Sequence, residues 1–117
     1  MATTTRIPRD QLAAYFNDFT QRFLRPGWPR SVDVEVLTFE LGDQLAVSGA
    51  RLVGMTYDPR DDALQLTMES GDHRVREPLE VWSIEESDGF LSAFEVLCSN
   101  GSREIVRVLR VGLMRAQ

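Results

Sequence analysis

From Ser31 onward the chain changes its hydrophobic period from that of a helix to that of a strand, and it never changes back. Val32, Val34 and Val36 alternate with Asp33 and Glu35, the signature of a strand with one buried and one wet face. Further strands are expected near Gln44 to Val47, Arg51 to Tyr57, Ala63 to Glu69, Arg74 to Arg76, Leu79 to Glu85, Phe90 to Cys98 and Glu104 to Val111. Short turn sequences separate them, at Asp58 to Asp62, Ser70 to Asp72, Glu86 to Gly89 and Ser99 to Ser102. No segment between strands is long enough to be a crossover helix, so a parallel sheet is excluded.

Before the switch, Leu12, Phe16, Phe19 and Phe23 fall on one helical stripe, which predicts an amphipathic helix from about Pro8 to Leu24. Pro8 suits a helix start, Asp10 complements the positive end of the helix dipole, and Arg22 and Arg25 complement the negative end. Pro26-Gly27 stops it. The expected fold is therefore α+β. One N-terminal amphipathic helix packs on a curved antiparallel β-meander or partly closed barrel, and residues 1–117 form one domain. Met1 to Thr5 is expected to be disordered.

The size, 117 residues with 43% hydrophobic content, suffices for one core and is marginal for two. With no apolar run of about 18 residues and no basic-then-apolar leader, the expected compartment is the cytoplasm, with no membrane partner. The single cysteine, Cys98, rules out an internal disulfide framework and multi-thiolate metal sites. All 13 basic residues are Arg, so lysine Schiff-base chemistry and a Walker-type phosphate loop are excluded. No glycine-rich phosphate cradle is present either, and no cofactor is expected.

Net charge is -5, unevenly spread. Residues 1 to 30 and 89 to 117 are basic, and residues 31 to 88 are acidic. Such segregation is neutralised either within one fold or between copies. The acidic balance argues against a nucleic-acid partner, because binding the phosphate backbone requires several positive contacts.

Several strings occur together: Ile7-Pro8-Arg9-Asp10-Gln11, the Gly54 to Asp62 stretch with Tyr57-Asp58-Pro59-Arg60-Asp61-Asp62, Gly71-Asp72-His73, and Glu85-Glu86-Ser87-Asp88-Gly89. In this order the chain resembles, over nearly its whole length, a family of small bacterial single-domain proteins of unknown function. The resemblance implies a bacterial origin and supplies no catalytic residues.

Candidate chemistry is sparse. Asp58, Asp61, Asp62, Glu86 and Asp88 lie on turns, and in a meander the first and third turns would share one end of the sheet. Clustered carboxylates suit a hard divalent cation, although the spacing matches no calcium loop. His73 is the only histidine and would have to carry any neutral-pH proton transfer, with Cys98 or a serine as an imaginable partner. No nucleophile elbow accompanies it, and no catalytic residue is assigned. The final strand carries apolar groups on both faces, with Arg107 and Arg110 among them, and Trp28 stands near Arg30 after the helix. These four residues are the candidate interface. The sequence thus points to a non-enzymatic interaction or accessory protein that binds a second copy or another protein. The alternative is a small ligand- or cation-binding domain using the acidic turns.

Overall fold

The computed structural model describes residues 2–24 and 30–110. Pro26-Gly27, Trp28 and Val111 therefore lie outside the described residues. One continuous helical segment follows Pro8, whose extended ψ of 146° sets the entry. It opens with a 3-10 turn at Arg9–Gln11, continues as helix α1 over Leu12–Phe19, and ends in a wider π turn at Thr20–Leu24. Leu12, Phe16 and Phe19 are buried, as their spacing requires.

Eight strands form one antiparallel sheet: β1 (Thr3–Ile7), β2 (Arg30–Thr38), β3 (Gly42–Asp58), β4 (Ala63–Met68), β5 (Gly71–Arg76), β6 (Pro78–Glu85), β7 (Leu91–Cys98) and β8 (Arg103–Arg110). Their order across the sheet is β1-β6-β7-β8-β2-β3-β4-β5. The simple meander is corrected to two meanders, β2 to β5 and β6 to β8, joined where β8 pairs with β2. The disorder expected for Met1 to Thr5 is corrected for Thr3 to Thr5, and Met1 lies outside the described residues. Thr3, Thr4 and Thr5 pair with Glu85, Ile84 and Ser83.

The sheet does not close, since β1 and β5 are its two ends. It nevertheless curves strongly. Glu77 alone links β5 to β6, at φ 52°, although the two strands sit near opposite ends of the order. The Glu77 N–H donates to the Asp62 carbonyl at 2.8 Å, and the Ser99 N–H donates to the Glu77 carbonyl at 3.0 Å. This corner is thereby tied to the β3–β4 and β7–β8 turns.

The helix fills the concave side. Phe16 meets Phe94 edge-on at 5.1 Å and Phe19 lies 5.6 Å from Phe90, over an inner face that includes Val34, Met55, Leu64, Val75, Val81, Val96 and Val106. Each such side chain contributes about 1.5–3 kcal/mol by leaving water.

β3 holds the two parts of the sheet together. It is one strand of 17 residues, where the turn-like Ser48-Gly49 suggests two shorter ones. Its first part pairs with β2 from Gly42 to Arg51, and its second pairs with β4 from Leu52 to Asp58. Gly49 adopts φ 65° and donates its N–H to Asp33 Oδ1 at 2.7 Å, so the chain passes through a bulge and stays in the sheet.

Candidate interaction face

Strand β8 shows how the fold sorts side chains. Glu104, Val106 and Val108 point inward and are buried, whereas Arg103, Ile105, Arg107 and Leu109 form the outward set. β8 is internal, paired on both sides, so its backbone cannot receive another chain. Its outward side chains belong to a broad face on which strand register sets charged and apolar groups side by side.

One row runs Arg6, Trp82, Glu95, Ile105, Glu35, Leu45, and the next runs Glu80, Leu97, Arg103, Leu37, Asp43. The helix covers the opposite face and leaves this one open. Trp82 remains 40% and Leu109 47% exposed. A hollow of about 250 Å³ lies between Thr4, Glu80, Trp82, Glu95, Leu97 and Arg103.

Ion pairs fix the charged groups of the face. Arg103 meets Glu95 at 2.6 Å, Arg107 donates to Glu35, and the Trp82 indole donates to Glu80 at 3.1 Å. The Arg107 guanidinium holds the Glu35 carboxyl below its usual range, while the neighbouring Glu35 raises that of Asp43. Arg107 is thus on the open face but already partnered.

The other interface candidates fare differently. Arg30 is 6% exposed, with its guanidinium 5.3 Å from the Phe90 ring centre, so it belongs to the interior rather than to a contact surface. Arg110 ends β8 opposite Arg30 in the register, and its side chain lies outside the described residues, as does Trp28.

The acidic turns do not meet. Asp62 pairs with Arg9 at 3.1 Å, just before the helix, and accepts the Tyr57 hydroxyl at 2.6 Å. Glu86, Asp88 and Gly89 sit at the far end of the helical segment, where a side chain at Gly89 would meet Arg22 Nη2 at 3.1 Å. Thirteen residues of helix separate Arg9 from Arg22, about 20 Å. The expectation of a shared end is therefore corrected, because the chain crosses the Glu77 corner between the two turns.

Most of these carboxylates have local partners. Asp58 accepts the Arg60 N–H at 2.9 Å, Asp61 pairs with Arg74 at 3.3 Å, and Asp88 accepts the Phe90 N–H at 3.0 Å. Glu86 closes its turn through its backbone. Among the described residues no three His, Cys, Asp or Glu side chains converge as a metal ion requires.

His73 has a partner that sequence reading missed. Its Nε2 lies 2.7 Å from Glu104 Oε1, in a pair with side chains only 21% and 11% exposed. In a flat sheet β5 and β8, four positions apart, would be about 19 Å from each other. The contact exists because the sheet curls over. The inward direction of Glu104 was legible, since it shares the period-two register of buried Val106 and Val108, but its pairing with His73 was not. Burial, and secondarily the Glu104 charge, push the nearby Cys98 thiol up, which disfavours a reactive thiolate. The hollows at the β2–β3 tip, at the β6–β7 turn and on the outer face are lined by residues other than His73.

These features define a class: a small α+β domain whose helix seals one face of an antiparallel sheet and leaves the other open. The chain belongs to the family described as a family of unknown function (DUF5335), whose model matches residues 3–112. A relative from Aquifex aeolicus (strain VF5), described as an uncharacterized protein, is 34% identical over 106 residues, covering 90% of this chain and 91% of the relative. The likeness to a family of small bacterial proteins is thereby borne out. No solved structure matches the chain. No helix among the described residues is long and apolar enough to cross a membrane.

Proposed function

We propose that the protein is a non-enzymatic interaction or accessory domain of the bacterial cytoplasm, and that the open sheet face receives a protein partner. The observation that carries this reading is the face itself, where Trp82, Ile84 and Leu109 stand exposed among the ion pairs. An aromatic anchor beside fixed Arg side chains is the composition of energetically dominant interface residues.

The acidic balance of the chain disfavours nucleic acid as that partner. The cation-binding alternative lacks comparable support, because arginines and turn N–H groups occupy most of the carboxylates it needs. The reading is tested by cross-linking the protein in its own cells and identifying attached chains by mass spectrometry. Wild type is expected to yield a partner cross-linked at β6 to β8, and Trp82→Ala with Ile84→Ser to lose it. Equal recovery by both proteins contradicts the reading.

A further inference from the structure

On the open face, strand register gathers polar and aromatic groups around one apolar side chain. Leu97 stands between Glu80 and Arg103 in one row, and Trp82 stands beside Glu95 in the row next to it. The hollow of about 250 Å³ lies among them. Sites that bury a whole small molecule run to about 300–1,000 Å³, so this one is sized for a single side chain.

Its chemistry suits a cation. The charges that line it are two carboxylates, Glu80 and Glu95, against the one guanidinium of Arg103. Neither carboxylate is used up. Glu80 Oε1 accepts the Trp82 indole N–H at 3.1 Å and Glu95 Oε2 accepts Arg103 at 2.6 Å, which leaves Glu80 Oε2 and Glu95 Oε1 with no hydrogen bond from any described residue. The two acids are diagonal neighbours across β6 and β7, about 7–8 Å apart along the backbone, so a guanidinium placed between them reaches both.

Trp82 supplies the third element. Its bond to Glu80 fixes the indole, and among the described residues no aromatic ring or guanidinium stacks on it. An aromatic face beside carboxylates attracts a positive group. Arg6 lies opposite Trp82 in the register but outside the lining of the hollow, and it forms no ion pair with a described residue. It is the chain's own competitor for the site.

We infer that the hollow takes an arginine side chain of the protein partner, stacked on Trp82 and held by Glu80 and Glu95. This rests on the reading of the open face as a partner surface and gives that partner its chemistry. Arginine fits better than lysine, because a planar guanidinium both stacks on an indole and donates in two directions at once. An acidic or neutral side chain would leave the excess negative charge of the hollow unmatched.

The test follows the Trp82 indole N–H of the full chain by heteronuclear NMR, its peak assigned with Trp82→Phe, while the capped tripeptide Gly-Arg-Gly is added to millimolar concentration. The peak is expected to shift saturably, and about tenfold more weakly with the citrulline tripeptide, which keeps the shape and loses the charge. Glu80→Gln retains an acceptor for the indole and is expected to weaken the arginine peptide, whereas Arg6→Ala strengthens it. Equal response to the two peptides, or a response that Glu80→Gln leaves unchanged, overturns the inference. So does an indole peak that moves with protein concentration alone, which assigns the hollow to a second copy. A cellular partner lost with Trp82→Ala and Ile84→Ser but fully held by Glu80→Gln overturns the inference and leaves the reading of the face standing. Arginine binding at Trp82 with no cellular partner does the reverse.

Discussion

The two halves of β3 are one strand with two fates. Beyond Arg51, β2 has left one side of the strand, and the helix replaces it. The Thr20 hydroxyl donates to the Met55 carbonyl at 2.8 Å and accepts the Met55 N–H at 3.0 Å, and its methyl lies 3.7 Å from where a side chain at Gly54 would begin. Before Arg51, β4 has not yet begun, and among the described residues nothing replaces it. The helix satisfies backbone groups of the one half, while the other half stays open beside exposed Phe39 and Leu45.

Breaking the closed half should cost the most. Phe16→Ala removes a fully buried ring from the helix–sheet contact and is expected to destabilise by about 3–5 kcal/mol in chemical unfolding. Next comes the clasp across the curled sheet. His73→Ala leaves Glu104 buried without its partner and should cost about 1–3 kcal/mol, with Glu104→Leu in the same background recovering part of the loss.

Thr20→Val keeps the shape but strands both Met55 backbone groups, a loss of about 1–2 kcal/mol in the same assay. At the open half, Ala46→Lys, at an exposed position, should leave stability within about 0.5 kcal/mol. The two halves would then differ in kind: changes in one destabilise the fold, and changes in the other leave it intact.

Alkaline titration sharpens the same contrast. Burial first, then the hydrogen bond to Glu85, raise the Tyr15 phenol above its ordinary value of 10.0, and burial with Asp62 raises Tyr57. An acid whose folded pKa is raised contributes stability fully below its unfolded pKa and loses it as pH climbs through the folded one. The melting temperature should therefore fall as pH rises past about 10, less steeply in Tyr15→Phe. The open half of β3 contains no tyrosine.

Much of the closed half was legible in the sequence, because local periodicity carries it. Leu12, Phe16 and Phe19 mark the helix face, and the alternation in β4, β6, β7 and β8 places those strands within a residue or two. β1 was not legible, since Thr3 to Arg6 has no apolar pattern and becomes a strand only through β6, far along the chain. The Arg9–Asp62 and His73–Glu104 pairs join residues 53 and 31 positions apart, which no local pattern reports. The open edge was hidden for another reason. Ser48-Gly49 has turn chemistry, and only the Asp33 carboxylate that captures the Gly49 N–H turns an apparent break into a bulge within one long strand.

Amide hydrogen exchange along β3 tests the contrast most directly. Protection at Met55 is expected to be high, whereas amides between Gln44 and Ser48 that face away from β2 exchange much faster. Exchange throughout the Gln44 to Ser48 stretch as slow as that of Met55 would contradict the account.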